Sequence, residues 1–345
     1  MACLDNASPV PYNNCMAHST FLCPIDEFQI AYTVICGQTF RWRLDKAGWW
    51  ACLLPVTNPE TGATSQQLVR LWQDDEAVYY ETSPKARNLG LVRDYFRLDV
   101  DLPALAQRFI EADYHIRPAM ADFAGLRVIR QDPAECLFSF LCTSAAPLYR
   151  IRRTVAALCR EYGDVYPGEV AGLVHHAFPP VHRLAETSLP YLARLGLGYR
   201  AAYVKETALA VMAHGGAPWL HGLRRRPYAE AKSALMTLPG VGAKIADCVC
   251  LFSLDKDEAV PVDTHIRQIV QRTYFADDEP YAPMSKTLTK NTYTKIASDV
   301  RARFGPMAGW AQQYLFFHDL YEKGAWESYT ALYQPLVEPI RPLKK

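Results

Sequence analysis

The sequence predicts an α+β protein in which an N-terminal twisted antiparallel sheet domain precedes a large all-helical domain. Short runs rich in β-branched and aromatic residues, separated by turn residues, occupy Phe28–Thr82. After Tyr95 the apolar residues recur at helical spacing. Within the helical part, a Pro-Gly-Val-Gly sequence separates two helical patterns, Tyr228–Met236 and Ala243–Leu254, and so predicts a helical hairpin.

The sheet domain is expected at residues 26–115, after an irregular segment at 1–25. Gly37 falls between two of the expected strands and is interpreted as a hairpin or bulge glycine. The β-rich runs that predict strands are Ile30–Ile35, Thr39–Arg43, Trp49–Leu54, Leu68–Trp72 and Val78–Thr82.

The helical domain is expected at residues 116–325, followed by a tail at 326–345. Its connections are short and marked by glycine or proline. Apart from the hairpin, the periodic segments that predict helices are Leu102–Ile110, Ala119–Phe123, Cys136–Thr143, Ile151–Tyr162, Val170–His176, Val181–Glu186, Tyr191–Leu195, Tyr203–His214, Leu288–Phe304 and Met307–Tyr321.

Composition limits the class of protein but does not reveal its function. The chain has 345 residues, half of them hydrophobic, which is enough for two domains with a large core. The net charge is +1, so any surface that attracts nucleic acid must be local. The ten cysteines form no CxxC pair and no zinc spacing, which favours free thiols in a reducing compartment. We find neither a secretory signal nor a membrane-spanning stretch, and we expect an intracellular protein.

The hairpin is the strongest candidate for a binding site. The first turn of its second helix has unpaired N–H groups and a partial positive charge, which suit a phosphate. Gly240 and Gly242, on either side of Val241, would let a nucleic-acid backbone come close.

Two residues near the hairpin could carry chemistry. Lys244 lies in the first turn of the second helix, where the helix dipole disfavours a cation, so its amine is a candidate nucleophile. A solvated surface lysine is the alternative interpretation. Asp263 precedes another periodic segment and is expected to cap that helix, which does not exclude a second role.

The segment Leu238–Ile269 resembles the helix-hairpin-helix, Gly/Pro and Asp signature of the base-excision DNA glycosylase superfamily. Within it, the chain resembles the eukaryotic-like 8-oxoguanine DNA glycosylases. Four further motifs occur in the family's order: CGQTFRW from Cys36, LFSFLC from Leu137, LGLGYRAAYV from Leu195 and GWAQQYLF from Gly309. The resemblance covers residues 20–325.

The resemblance implies a bifunctional enzyme that excises 8-oxoguanine from duplex DNA and then cleaves the strand. Lys244 would attack the anomeric carbon to form a Schiff base that permits β-elimination, and Asp263 would stabilise the positive charge on the sugar. Two alternatives remain open: a glycosylase of this fold for another damaged base, and a non-catalytic DNA-binding protein. Because phosphate binding requires neither Lys244 nor Asp263, the presence of both disfavours the second alternative.

The resemblance also assigns a pocket for the extruded base. Cys248 would lie against one face of the base and Phe316 would stack on it, although a buried small hydrophobe and a core aromatic are the simpler interpretations. Gln312 would bond the Watson–Crick edge, and the Gly37 carbonyl would accept the N7 proton that distinguishes 8-oxoguanine from guanine. Phe252 is expected in the same pocket.

Further residues are assigned to supporting roles and to the opposite strand. Asp319 is expected to orient His265. Tyr199 resembles the wedge that fills the gap left by the base, and Arg200 and Arg150 resemble the arginines that grip the opposite cytosine. The chain has Ala145-Ala146-Pro147 where the family usually has an asparagine run, so amide hydrogen bonds to that strand are missing.

No cofactor is expected. Relatives with an iron–sulfur cluster carry a run of four cysteines after the hairpin domain, whereas here no cysteine follows Cys250. Family hairpins often hold a monovalent cation through main-chain carbonyls, here those of Leu238 and Val241. The expected partner is double-stranded DNA containing 8-oxoguanine, with no membrane association, and the protein is expected to be a monomer located with the DNA.

Overall fold

The computed structural model describes residues 19–57, 64–84, 90–144, 146–170, 172–274, 288–324 and 331. It confirms the predicted α+β organisation, with a sheet near the N-terminus and helices after it. The sheet has five antiparallel strands in the order β1-β5-β4-β3-β2. Their bounds are β1 Thr20–Pro24, β2 Arg43–Leu44, β3 Trp50–Thr57, β4 Thr64–Gln73 and β5 Ala77–Ser83.

The first expected strand is wrong, because Ile30–Ile35 is a helix, α1. Its β-branched residues suit a strand, but Ile30, Thr33 and Val34 are all buried on the helix. The Gln73 side chain in β4 accepts the Ile30 N–H at 2.9 Å, so a distant residue satisfies the start of the helix. Tertiary contacts therefore override local propensity here.

Gly37 is consequently not a hairpin or bulge glycine. It follows the end of α1 with φ of +83°, a left-handed conformation in which glycine commonly terminates helices. Most of the expected strand Thr39–Arg43 is irregular, and pairing begins only at Arg43.

Most of the other predicted helices are present in the expected order, and several begin at a capping side chain. The structure adds two helices that the sequence did not predict, Gly90–Tyr95 and Ala217–Leu223. The Asp101 carboxylate accepts the Ala104 N–H at 3.0 Å, and that of Asp132 accepts the Ala134 N–H at 2.9 Å. None of the described helices is long and apolar enough to span a membrane. Their bounds are α2 Gly90–Tyr95, α3 Leu102–Ala112, α4 Arg117–Asp122, α5 Pro133–Leu141, α6 Leu148–Tyr162, α7 Val181–Glu186, α8 Leu189–Leu192, α9 Arg200–Ala213, α10 Ala217–Leu223, α11 Tyr228–Met236, α12 Ala243–Ser253, α13 Thr264–Tyr274, α14 Lys290–Phe304 and α15 Ala308–Glu322.

The expected helix Val170–His176 is also wrong, because an antiparallel hairpin of β6 (Val165–Val170) and β7 (Leu173–His176) occupies this region. The segment is too short for periodicity to separate a strand from a helix. The sheet domain holds the hairpin in place: Arg41 donates to the His176 carbonyl and Arg43 to the Val174 carbonyl, both at 3.1 Å.

One apolar core extends from Leu22 in β1 to Phe317 in α15. The sheet and the helices are therefore packed against each other through shared buried side chains. Among the largest fully buried residues are Trp42, which follows the CGQTF sequence, and Trp310 and Tyr314 in α15.

The C-terminal end of α12 and the N-terminal end of α15 meet at Asp257. The Gly309 N–H donates to the Asp257 carbonyl at 2.7 Å, and Trp310 Nε1 donates to its carboxylate at 3.0 Å. A Cβ on Gly309 would lie 2.4 Å from both the Ala259 carbonyl oxygen and Leu251 Cδ1. Glycine is therefore required here because the two segments approach so closely.

We expect Gly309→Ala to destabilise the fold by about 1–3 kcal/mol, because the methyl group overpacks a rigid backbone contact. The control is Gly222→Ala in α10, where an added Cβ has no neighbour within 4 Å. Alanine in a helix is favoured over glycine by about 0.5–1 kcal/mol, so the control should be stable or slightly stabilised. Thermal unfolding of both variants measures the difference, and an unchanged midpoint for Gly309→Ala would contradict the packing argument.

Candidate active site and DNA-facing surface

The turn between α11 and α12 is built on its two glycines. Gly240 has φ of +74°, and a Cβ there would lie 2.5 Å from Cγ of Tyr203, so both its conformation and the lack of space require glycine. The Val241 N–H donates to the Leu238 carbonyl at 3.1 Å and closes the turn. Gly242 is the N-cap of α12 and has open space around its α-carbon. Another molecule can therefore approach the first N–H groups of α12 closely.

Lys244 lies between an aromatic ring and a thiol. Its Nζ is 5.1 Å from the centre of the Phe140 ring, and its positive charge acts to lower the pKa of the Cys248 thiol, one helical turn further along α12. The Phe140 ring stacks on Phe252, with centroids 5.6 Å apart and planes at 16°. Sequence reasoning assigned no role to Phe140, although it lies within the LFSFLC motif. The structure makes Phe140 the direct neighbour of the lysine and places the buried Phe252 behind it.

Cys248 is buried, and the charges of Lys244 and Asp263 act on its thiol in opposite directions. Burial raises the pKa of the Cys248 thiol to about 12, although the charge of Lys244 acts in the opposite direction. The negative charge of Asp263 raises this pKa further, so that carboxylate also lies near the thiol. A neutral thiol is a poor nucleophile, and the amine of Lys244 is therefore the better candidate at this point.

Asp263 caps α13 as expected. Its Oδ1 accepts the Ile266 N–H at 2.9 Å, and its carbonyl accepts the Arg267 N–H at 3.0 Å. The residue is half-buried. Because the cap uses one carboxylate oxygen, the other can serve a second partner.

Gly37 and α15 meet on the other side of this space. A Cβ on Gly37 would lie 3.7 Å from Phe316 Cε1, so the glycine faces the phenyl ring. Gln313 Nε2 donates to the Cys36 carbonyl at 3.0 Å and fixes the segment that carries Gly37. Gln312 is buried, and its Oε1 has no hydrogen-bond partner among the described residues. A buried acceptor without a partner is unusual and indicates a group that a ligand would satisfy.

His265 contacts both Phe316 and Asp319. Its ring meets Phe316 edge-on, with centroids 5.7 Å apart and planes at 85°, and its Nδ1 is 3.4 Å from the Asp319 carboxylate. Asp319 also accepts from Lys323 at 2.7 Å and from Arg272 at 3.2 Å. Burial alone would raise the pKa of Asp319, but the hydrogen bonds from Lys323, His265 and Arg272 outweigh it and lower that pKa. The carboxylate is therefore ionised and serves three cationic or donor groups.

The residues assigned to the wedge and to the opposite strand differ in their exposure to solvent. Tyr199 is 60% exposed and Arg150 is exposed, as a contact with DNA requires. Arg200 is instead buried, in contrast to the expectation. Its Nε donates to the Ser144 carbonyl at 2.7 Å, and its guanidinium lies 4.7 Å from the Tyr199 ring centre. The Ser144 carbonyl lies just beyond the end of α5 and needs a hydrogen-bond donor, which Arg200 supplies. Ala145 lies outside the described residues.

The candidate metal ligands were also compared with the structure. In the described parts of the chain, no group of three or more His, Cys, Asp and Glu side chains could hold a metal ion. The Leu238 carbonyl accepts one hydrogen bond, from Val241, and a carbonyl oxygen has two lone pairs. This oxygen therefore retains the capacity to bind a cation.

A cavity of about 1500 Å³ opens elsewhere, between the sheet and α10. Neither Lys244 nor Asp263 lines it. Its charged walls are paired internally: Arg130 contacts Asp255 at 2.7 Å, and His221 contacts Asp132 at 3.0 Å. We therefore assign the chemistry to the space between α12 and α15.

A glycine-capped hairpin that presents a lysine beside a capping aspartate defines a base-excision DNA glycosylase of the helix-hairpin-helix class. Residues 20–137 match the family model of the 8-oxoguanine DNA glycosylase N-terminal domain. Residues 138–293 match that of the HhH-GPD superfamily of base excision DNA repair proteins.

Comparison with individual proteins gives the particular family. The chain is 36% identical to the N-glycosylase/DNA lyase OGG1 of Arabidopsis thaliana, over 85% of this chain and 78% of the relative. It is 30% identical to the N-glycosylase/DNA lyase of Saccharomyces cerevisiae, over 85% and 84%. The crystal structure of Clostridium acetobutylicum 8-oxoguanine glycosylase/lyase, in complex with double-stranded DNA containing cytosine opposite 8-oxoguanine, superposes with a TM-score of 0.71 at 26% identity, covering 86% and 93%. The chain belongs to the 8-oxoguanine DNA glycosylase family.

Proposed function

We propose that this protein is a bifunctional DNA glycosylase and AP lyase that excises 8-oxoguanine from duplex DNA and then cleaves the strand by β-elimination. The observation that carries the proposal is the arrangement at the hairpin, where Lys244 lies in the first turn of α12, next to the open Gly242, and Asp263 caps the following helix, α13. The names of the Arabidopsis and yeast relatives describe this pair of activities, and the Clostridium complex contains this lesion.

Binding begins at the hairpin. The main-chain N–H groups after Gly242 bind a phosphate of the damaged strand, and the open space around this glycine lets the backbone approach. A base inside a duplex cannot reach the pocket and must be flipped out, which costs a few kcal/mol. Tyr199, exposed beside Arg200, fills the gap that the base leaves. Arg150 contacts the opposite base, whereas Arg200 supports Tyr199 from below.

The flipped base binds between Cys248 and Phe316. Gln312 Oε1 accepts a hydrogen bond from its Watson–Crick edge, which satisfies the unpaired buried acceptor. The Gly37 carbonyl accepts the N7 proton of 8-oxoguanine, whereas guanine has an acceptor at N7 and leaves two acceptors facing each other. Phe252 acts indirectly, by supporting the Phe140 ring on which the Lys244 amine rests.

The reaction uses the amine and the carboxylate in sequence. The Lys244 amine attacks the anomeric carbon while the bond to the base breaks; the electron pair leaves with the base, which takes up the proton that the amine nitrogen releases. The Asp263 carboxylate stabilises the positive charge that develops on the sugar. The bond between the anomeric carbon and the ring oxygen then breaks, the oxygen takes up a proton from solvent, and the anomeric carbon is left as a Schiff base with Lys244. Removal of a proton from the adjacent carbon then expels the 3′ phosphate.

Several further features belong to the same proposal. The protein acts as a monomer and is located with the DNA, in the nucleoid of a bacterium or the nucleus of a eukaryote. Asp319 orients His265 beside Phe316. The Leu238 and Val241 carbonyls would hold a monovalent cation that stabilises the turn. We also propose the division into a sheet domain at 26–115 and a helical domain at 116–325, flanked by segments 1–25 and 326–345.

The covalent intermediate can be trapped with borohydride. During turnover on a duplex with one 8-oxoguanine, reduction of the Schiff base should link protein to DNA. Lys244→Gln should abolish this adduct because it removes the amine, while affinity for the duplex remains. Lys290→Gln is the control, because Lys290 is an exposed lysine at the start of another helix, α14. An adduct of full strength in Lys244→Gln would exclude Lys244 as the nucleophile.

Asp263→Asn separates the capping role from the catalytic role. Asparagine caps helices about as well as aspartate, so the thermal midpoint should change little. Removing the charge should lower the single-turnover excision rate on the order of 100-fold, as for other groups that stabilise transition-state charge. Asp101→Asn, which changes the cap of α3 in the same way, should leave the rate unchanged. Near-normal activity in Asp263→Asn would show that Asp263 caps the helix but has no catalytic role.

Selectivity for the base opposite the lesion should be weaker than in relatives with the asparagine run. The segment Ala145-Ala146-Pro147 provides no amide side chains, and Arg200 is engaged with Ser144. A good set of hydrogen bonds is worth about 1–3 kcal/mol of discrimination between bases. Single-turnover excision opposite each of the four bases measures this preference, and Ala145→Asn should sharpen it towards cytosine. Strong rejection of the other three bases by the native protein would contradict the prediction.

A further inference from the structure

Asp247 is a fully buried carboxylate on α12, three residues after Lys244. Its Oδ1 accepts the Tyr228 hydroxyl at 2.6 Å, and its Oδ2 accepts Lys232 Nζ at 2.7 Å. Tyr293 also donates its hydroxyl to Oδ2. The carboxylate thus joins α11, which carries Tyr228 and Lys232, and α14, which carries Tyr293, to the helix of the proposed nucleophile.

Tyr293 differs from the other two donors because its oxygen also contacts the segment that precedes Asp263. It accepts the Val262 N–H at 3.3 Å and lies 3.3 Å from the Val260 carbonyl oxygen. Val260 and Val262 are fully buried, and Val262 directly precedes Asp263. One phenolic oxygen therefore connects α12 to the segment that carries the catalytic carboxylate.

This connection acts on the geometry that the reaction depends on. Residues 255–263 between α12 and α13 contain no helix or strand, so regular backbone hydrogen bonds do not fix Asp263 relative to α12. The cap at Ile266 holds Asp263 to α13, and the Tyr293 hydroxyl holds the preceding residue to α12. A displacement of about 1 Å between reacting groups can cost on the order of 100-fold in rate.

We propose that Tyr293 is a positioning residue whose hydroxyl, through Asp247 and Val262, sets the separation of the Lys244 amine and the Asp263 carboxylate. The inference rests on the proposed function, since it assigns Tyr293 a part in the same reaction. Tyr293 is buried, so its hydroxyl is not offered to a molecule bound at the surface. Its effect should therefore appear in the rate of chemistry and not in binding.

The test compares Tyr293→Phe with Tyr228→Phe. Each change removes one phenolic hydroxyl from the same carboxylate and keeps the ring, but only Tyr293 also contacts Val262. Single-turnover excision at saturating enzyme, affinity for the 8-oxoguanine duplex and thermal unfolding are measured for both. Tyr293→Phe should lower the excision rate on the order of 10- to 100-fold with unchanged affinity. Tyr228→Phe should keep the rate, whatever its effect on stability.

Three results would overturn the inference: an unchanged rate in Tyr293→Phe, equal losses of rate in the two variants, or a loss confined to affinity. Wild-type protein that excises nothing from the duplex would reject the proposed function and this inference with it. Excision by the wild type together with any of the three results rejects only the positioning role.

A measurement on the wild-type protein covers the case in which Tyr293→Phe does not fold. If the Tyr293 hydroxyl holds the segment, the Val262 amide should exchange its hydrogen as slowly as the buried amides of α12. Fast exchange of the Val262 amide in folded wild-type protein would show that the bond does not hold the segment and would overturn the inference.

Discussion

The contact between Gly309 and Asp257 is the constraint on which the site depends. The N–H of Gly309 and the indole of Trp310 both donate to Asp257, and Arg97 donates to the same carboxylate at 2.9 Å. A partly buried carboxylate with several donors is held in one geometry, because each lost bond would leave an unpaired group. This contact fixes the start of α15 against the end of α12. The relative positions of α12 and α15, between which we propose that the base binds, follow from it.

Beyond this junction, the side chains of α15 contact several segments that lie far apart in the sequence. Gln313 holds the Cys36 carbonyl, Tyr314 donates to the Leu126 carbonyl at 2.7 Å, and Phe316 faces Gly37. The pocket is therefore assembled from segments far apart in sequence, each tied to α15 by a specific bond. The sheet domain contributes the Gly37 segment, and this explains why the sheet and the helices share one apolar core.

Sequence reasoning recovered what local chemistry determines. The hairpin glycines, the Asp263 cap and the bounds of α11 follow from residue type and spacing, and the structure agrees with them. It failed where contacts with residues far away in the sequence determine the secondary structure. Ile30–Ile35 is helical because its apolar residues pack into the core and Gln73 satisfies its start, and Val170–His176 is a hairpin because Arg41 and Arg43 hold its carbonyls. The bond between Asp247 and Tyr293 spans 46 residues and leaves no periodic signal.

The unpaired Oε1 of Gln312 relates stability to recognition. Leaving a buried acceptor unpaired costs about 1–3 kcal/mol, so an acceptor that the described residues do not satisfy favours a ligand that donates to it. Under the proposed function, a base with a donor on its Watson–Crick edge satisfies this acceptor, whereas a base with an acceptor there does not. The neighbouring Gln313 has the same side chain, but its amide donates to the Cys36 carbonyl and so serves the fold. Under the proposed function the two adjacent glutamines on α15 have different partners: Gln313 binds the segment that carries Gly37, and Gln312 accepts a hydrogen bond from the base.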